Sequence, residues 1–571
     1  MRNVLAATIL TLSSACAGGS GAVAPLNSLD EEIDAVVADL DLAGAALAVA
    51  VGDELIYAGA AGCAHFDDAP DQPCARPLKA ETNMRVASIS KLAVALVAHQ
   101  MTDEGLIDLD ADVSAGLGRT LRHPDYPDRA ITLRQLLSHT SSIRDPEQYW
   151  IPAPKTFDVL LDDPAIFAES EAGADRGPGA YFTYANLNTS IVARVLERAS
   201  GMRFDELMSA RLFEPLEIDA GFNWSGVSTQ ARRNGATLYR RENDRWAAQV
   251  DDTEMLAGSD PVFLAEPSVD RDAFLDAYQP GDNPTLFSPQ GGLRASVFDL
   301  VAVLDELRAA PGAAAPVWAL RSEADNGETE GGFYKAYGAG AHRLLNPRFA
   351  PGAEETDYIG HGGEAYGLRS GAWLSRAGDD DPANDVRIAY AITGGADLSS
   401  SKTDISGFAA AEVALMRLAI KAAETSATET AHAHHNDDPR PFDEKRDAGA
   451  DVDAALRAAS QSGKRVLLVM GGNWCHDSRG LAAKFENPVL SAVLSDAYEL
   501  VWVDVGYRDR NLDIAKRFGV NELNGTPTIL ILSRDGTLLN AESVHDWKTA
   551  DSIPIDETLA YFEAFAPGRE R

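Results

Sequence analysis

The 571-residue chain carries 87 acidic against 50 basic side chains, a formal charge of −37, with 45% hydrophobic residues. That length is more than one hydrophobic core sustains, so two or three domains are expected. A surface this acidic repels phosphate backbones and anionic lipid, which argues against nucleic acid as a partner and leaves the charge as a source of solubility.

At the N-terminus Arg2 precedes the apolar run "VLAATIL" and then "SSAC", which reads as a secretory signal over residues 1–16. Small residues before Cys16 resemble a bacterial lipoprotein processing site, and "ACA" equally suits an ordinary signal peptidase. The expected destination is therefore the bacterial periplasm or cell envelope, with a lipid on Cys16 as the one link to a membrane. No other stretch is apolar for long enough to span a bilayer.

"AALAVAV" and "LIYAGAAG" flank Gly52-Asp53 and read as a hairpin. Cys63 and Cys74 lie in a polar, turn-like segment and are expected to pair in an oxidising compartment, two unrelated thiols being the alternative. "RVASISKLAVALVAHQ" then predicts a helix, apolar nearly all round and therefore buried. On it Ser88 and Lys91 stand three residues apart and share a face. From about Asp108 to Gly312 the chain reads as mainly helical with long loops. "SGAWLS" and "RIAYAIT" read as strands, and "GFAAAEVALMRLAIKAAE" as a helix. Strands at both ends with helices between predict one antiparallel sheet that gathers both termini, flanked by helices, with a helical subdomain inserted.

Residues 422–446 are polar, aperiodic and carry two prolines, so they read as a linker between a domain over 28–421 and another over 447–568. His432, His434 and His435 have no cysteine or fixed helical spacing to organise them, so they are read as linker and no metal is expected. Beyond the linker, helix "VDAALRAAS", strand "RVLLVMG", the Trp474-Cys475 loop, strand "ELVWVDV" and "TPTILIL" alternate as in a small α/β domain.

Three segments belong with Ser88: "ITLRQLLSHTSSIRD", "PGAYFTYANLNTSIVARVLERASG" with Tyr184 and Asn186, and "IGHGGEAYGLRSGAWL" with His361 and Gly363. With "FSPQGGLRASVFDLVAVL", their order and spacing resemble the serine hydrolases that include class C β-lactamases, D-alanyl-D-alanine carboxypeptidases, D-aminopeptidases and related esterases. The resemblance covers about Ala45 to Lys421. It implies a β-lactamase-like α/β fold, Ser88 as nucleophile, and Lys91 and Tyr184 as the acid/base pair. Asn186, His361 and Gly363 are implied as substrate-binding residues.

The chemistry suits these residue types. A serine hydroxyl becomes a nucleophile only when a base takes its proton. A lysine desolvated by an apolar helix has a lowered pKa and can take it. Tyr184 beside cations is expected to ionise more easily, and to pass the proton to the leaving group. Backbone N–H groups of Ser88 and of the strand after His361 are expected to form the oxyanion hole. The third motif departs from the lysine-first form usual in β-lactamases and carboxypeptidases. His361, with a reference pKa of about 6.5, is expected to be largely neutral. That shifts the expectation toward esterases and D-aminopeptidases, with His361 as a purely structural hydrogen-bonder kept open.

"GGNWCHDSRGLAAKF" and "LNGTPTILIL" resemble the two active-site segments of a thioredoxin-like domain, with Cys475 as a lone thiol and Pro527 as the family's cis-proline. A helix N-terminus and His476 are expected to favour the thiolate. Without a second thiol, a mixed disulfide with a partner, plain binding, or a structural domain that has kept the fold and lost the chemistry is what remains. The whole therefore predicts an exported serine hydrolase working through an acyl-enzyme on Ser88, without a cofactor. Its substrates are small esters or D-amino-acid amides and peptides. The rivals are a β-lactamase or D,D-carboxypeptidase proper, and a non-catalytic envelope adaptor using Cys475.

Overall fold

The computed structural model describes residues 28–67, 72–169, 175–252, 256, 265–349, 356–375, 385–398, 403, 405, 407–432, 439–506, 508–548, 550 and 553–568. The expected signal with Cys16, and His434 and His435, lie outside them. Among the described residues no helix is long and apolar enough to cross a membrane.

After helix α1 (Ser28–Asp39), strands β1 (Leu42–Val51) and β2 (Glu54–Phe66) form the hairpin, turning at Gly52 with φ +57°. Strand β3 (Cys74–Pro77) pairs with β2, and a disulfide joins Cys63 to Cys74 across that pair. Short strand β4 (Met84–Arg85) leads into α2 (Ile89–Asp103), in which every residue from Ile89 to His99 is buried. Helix α3 (Asn186–Ser200) lies in the long insertion, with strands β5 (Gly221–Phe222), β6 (Leu238–Glu242), β7 (Arg245–Val250) and β8 (Leu293–Ala295). Helix α4 (Val297–Ala309) precedes β9 (Pro316–Ala319), β10 (Ala336–Gly338), β11 (His342–Leu344), β12 (Tyr358–Ala365), β13 (Leu368–Ser375) and β14 (Val386–Gly395). Helix α5 (Ala410–His432) closes the domain, and runs past residue 421 into what the composition suggested was linker.

The main sheet is antiparallel, in the order β3-β2-β1-β14-β13-β12-β11-β10-β9. Its first and last long strands pair directly, with Leu47 opposite Tyr390 and Val49 opposite Ile388. Period-2 alternation splits β1 between two cores. Ala46, Ala48 and Ala50 face the cluster that holds α2 and α4, while Ala45, Leu47 and Val49 face the one that holds α1 and α5. The small side chains of β1 on that face let α4 pack close to the sheet.

The insertion is less purely helical than its sequence suggested. It supplies β5 and β8 to the three-stranded sheet β4-β8-β5 and contains the hairpin β6–β7. Strands of two or three residues are too short to show the alternation that would reveal them. This small sheet matters, because β8 holds β4 and therefore the start of α2. It is locked from below by a buried ion pair, Arg294 Nη2 donating to Asp251 Oδ1 at 2.9 Å, with Trp224 Nε1 donating to the same oxygen at 2.8 Å.

The C-terminal domain comprises α6 (Ala448–Ser462), β15 (Arg465–Gly471), α7 (His476–Phe485), α8 (Pro488–Ala497), β16 (Tyr498–Asp504), β17 (Thr528–Leu532) and α9 (Ile555–Ala564). Its sheet order is β16-β15-β17, parallel on one side of β15 and antiparallel on the other. It contacts the first domain through Arg479, which donates to Glu54 at 2.6 Å, and through Trp474, which packs against the core around α2.

Candidate active site

Ser88 sits at the N-cap of α2, at the step from β4 into the helix. A serine there normally spends its hydroxyl on capping, but this side chain makes no capping hydrogen bond. Ala87, just before it, holds φ +48°, a left-handed conformation that an alanine adopts only under constraint. The constraint comes from Ser90, whose hydroxyl donates to Ala87 O at 2.6 Å and accepts from Leu293 N of β8 at 3.0 Å. The turn thus delivers the Ser88 hydroxyl to a cleft of about 1590 Å³.

Lys91 is one turn further and 4% exposed. Its Nζ lies 2.9 Å from Ser88 Oγ, and donates to Asn186 Oδ1 and to the Gln290 carbonyl, each at 2.8 Å. Burial pushes its pKa down to about 7, against the opposing pull of Asp145 and Glu330. Asn186 is aimed by Asp145. That carboxylate accepts from the Asn186 amide nitrogen at 2.8 Å, and from the backbone N–H groups of Asn186 and Leu187 at 3.0 and 2.8 Å. Since the amide nitrogen faces Asp145, its oxygen faces the lysine. With two donors held by fixed acceptors, the third position on Nζ points at the serine; once neutral, Lys91 presents its lone pair there.

The Tyr184 ring lies 4.9 Å from Lys91 Nζ and stacks 4.9 Å from Tyr334 and 4.4 Å from His139. Burial raises its pKa well above the ordinary phenol value, and the nearby Ser88 hydroxyl only partly offsets this. The expectation of easier ionisation is therefore corrected: desolvation outweighs the cation, and the resting group is the phenol.

His361 also departs from its expected role. Its imidazole is 1% exposed and lies behind Tyr184, with ring centres 6.1 Å apart, and it does not line the cleft. Nδ1 faces the Gly362 carbonyl at 2.6 Å and so carries the proton, while Nε2 accepts from the Tyr337 hydroxyl at 2.7 Å. Burial, then Lys91, hold its pKa well below the ordinary value, so it is neutral. The ring is a structural hydrogen-bonder that backs the tyrosine.

What β12 offers the cleft instead is its backbone. β11 pairs with β12 only as far as Gly360, so the edge from His361 to Ala365 has no strand beside it among the described residues. Gly363 lines the cleft and lies against the turn before the nucleophile, where a Cβ would come within 2.5 Å of Val86 O. Glycine is needed there for that close approach. Ser88, Lys91, Tyr184, Asn186 and Gly363 thus converge. Sequence reading missed Asp145, Gln290, His139, Tyr334 and Tyr337. One signal for Asp145 was available: α3 follows Ala185, which cannot cap it, so its first N–H groups need an acceptor from elsewhere.

The thiol of the second domain is in a different state. Cys475 precedes α7, is 8% exposed and lies 3.3 Å from the Thr526 carbonyl, beside the cis Thr526-Pro527 bond. Burial pushes its pKa up, with Asp477 adding to the shift. The expected thiolate is corrected to a thiol, because desolvation exceeds what the helix end supplies. Alkylation by iodoacetamide at pH 7 is expected to run at least about tenfold slower than for an exposed cysteine peptide, with a rate still climbing above pH 9. Peptide-like reactivity at neutral pH would contradict this. No group of three or more potential metal ligands occurs among the described residues.

A family described as Beta-lactamase matches residues 29–379, and one described as Thioredoxin-like matches residues 447–533. Esterase EstB of Burkholderia gladioli is 27% identical over 300 residues, which is 50% of this chain and 70% of that protein. A D-aminopeptidase of Cereibacter sphaeroides is 25% identical over 285 residues, 48% of this chain and 45% of that one. Among solved structures, a D-stereospecific amidohydrolase from Streptomyces sp. is 18% identical, with a TM-score of 0.43. It covers 65% of this chain and 95% of its own.

Proposed function

Because the chain belongs to the β-lactamase family of serine hydrolases, we propose that it cleaves carboxylic esters or D-amino-acid amides through an acyl-enzyme on Ser88. The observation that carries this is the contact of Lys91 Nζ with Ser88 Oγ, made by a buried amine whose pKa of about 7 leaves much of it unprotonated at neutral pH. Neutral Lys91 takes the hydroxyl proton as Oγ bonds to the substrate carbonyl carbon. The Ser88 N–H and the open edge of β12 receive the oxygen that gains the negative charge. Collapse breaks the bond to the leaving group, which departs with a proton relayed from Lys91 through the Tyr184 phenol. Water then attacks the acyl carbon and gives a proton to Lys91; the bond from that carbon to Ser88 Oγ breaks, the acid is released, and the proton returns from Lys91 to Oγ.

Support for esters and D-amino-acid amides over β-lactams comes from the third motif, where no lysine stands and His361 is turned away from the cleft. We place the enzyme in the bacterial periplasm or envelope, on the secretory signal read in residues 1–16, with Cys16 as the candidate lipid site. The thioredoxin-like domain is read as a docked companion rather than a disulfide reductase, given its single buried thiol.

The test is a panel of p-nitrophenyl esters, D-amino-acid p-nitroanilides and a chromogenic cephalosporin, offered to the full chain. Turnover of an ester or a D-anilide, with the cephalosporin at least about a hundredfold slower, is the expected result; the gap is that of the charge-assisted contacts a lysine at the head of the third motif would make and His361 does not. Turnover of the cephalosporin alone would overturn the substrate assignment. Silence on all three would overturn the hydrolase.

A further inference from the structure

Seven arginines and four carboxylates line the cleft, on a chain that is acidic by 37 charges overall. Three of these arginines are already neutralised by carboxylates. Arg294 pairs with Asp251 at 2.9 Å, Arg369 with Glu364 at 3.0 Å, and Arg241 with Asp41 at 3.5 Å. Arg85 differs. It is the last residue of β4, three positions before Ser88, and lines the same cleft. No carboxylate stands within ion-pair distance of it among the described residues. Its one side-chain hydrogen bond is a long one, Nη2 donating to Ser288 Oγ at 3.3 Å, and its buried Nε donates to nothing.

The guanidinium is nonetheless held in place. It lies 5.0 Å from the ring centre of Tyr366, the first residue of the two-residue turn between β12 and β13. Tyr366 and Gly367 both have positive φ, +55° and +85°, which pins the turn in the form that continues a twisted hairpin. The strand whose edge would receive the substrate carbonyl therefore also supplies the platform for this arginine. A half-buried guanidinium with five donors and one weak acceptor is costly to leave so unless something completes it. Burial bears on it directly, lowering its pKa to about 10, so it remains a cation at working pH.

We infer that the cleft takes substrates bearing a carboxylate, and that Arg85 is the residue that receives it. A guanidinium meets a carboxylate through two parallel N–H···O bonds, and Arg85 has donors to spare for both. The excess of positive charge around it would also concentrate anions from solution into an otherwise repelling molecule. Glu330 also lines the cleft, and its carboxylate would repel a substrate anion that the Arg85 guanidinium attracts.

This rests on the serine-hydrolase reading, and the test separates the two. Matched esters are compared in the full chain: phenyl acetate against 4-acetoxybenzoate, with the charge in the leaving group, and p-nitrophenyl butyrate against the p-nitrophenyl monoester of succinate, with the charge in the acyl group. Turnover of the neutral members reports on the hydrolase alone. For at least one pair, kcat/KM of the anionic member is expected to exceed that of its neutral partner by about tenfold or more, expressed mainly in KM. Added KCl should erode that preference. In Arg85→Gln the ratio within the pair should fall to near one, with part of it returning in Arg85→Lys. Hydrolysis of the neutral esters with no preference in either pair, a preference unmoved by salt, or a ratio unchanged in Arg85→Gln would each overturn the assignment. Should Arg85→Gln not fold, the salt dependence and the paired ratios of the wild type decide it.

Discussion

Alanine at position 88 is expected to lower kcat for the best substrate by at least about 10⁴, with substrate still bound. Nucleophile, base and proton relay act as one unit, so removing the atom that makes the covalent bond forfeits nearly all the catalysis they supply together. What survives is binding and the oxyanion donors, which by themselves give a modest rate over water. Folding should be spared, because the hydroxyl caps nothing and the turn that holds it depends on Ser90. A fluorophosphonate probe should label the wild type and Cys475→Ser, but not Ser88→Ala. Retained turnover in Ser88→Ala, or labelling that follows Cys475, would put the chemistry elsewhere.

Lys91→Met should cost about 10²–10⁴ in kcat, the range that a positioned proton acceptor supplies. It should also remove the acidic limb of the pH profile. The base is the neutral amine, so activity requires a proton to leave Lys91. With that group at about 7, kcat/KM of the wild type should rise about tenfold per pH unit below 7 and level off above it. Burial sets this value. Asp145 and Glu330 hold it up, while the neighbouring His139 and His361 stay neutral and add no charge through that range. A profile flat from pH 5 to 9, or a methionine variant that keeps more than a tenth of the activity, would show that the amine is not the base. Glu330→Gln offers a signed check, moving the limb toward lower pH.

Read against one another, sequence and structure agree where a feature is local. Two residues one turn apart on an apolar helix state their own relationship, so Ser88 and Lys91 were legible from spacing alone. Tyr184, Asn186 and Gly363 were legible only through resemblance, since nothing local brings them near α2. Gln290 was out of reach, because it contributes a backbone carbonyl, which any residue type could supply. Arg85 was quoted within the helix motif, yet its isolation is a property of the surrounding space and not of its neighbours in the chain. The errors have a common physical source. Tyr184 and Cys475 were assigned their ionisation from nearby charge, and in both cases burial reversed the sign. His361 was placed in the cleft by its motif, whereas the pleat of β12 turns its ring inward against Tyr337. The short strands of the insertion left no periodic trace, although one of them fixes the nucleophile.

The unpaired margin of β12 has a consequence for selectivity. A main chain recognises another main chain without regard to what side groups either carries, so a clasp of this kind holds any acyl compound of roughly extended shape equally well. Discrimination then falls to the walls, and neighbouring proteins with the same scaffold can diverge in diet by repainting those walls alone. In this molecule the paint we propose is the guanidinium of Arg85, resting on the ring of Tyr366.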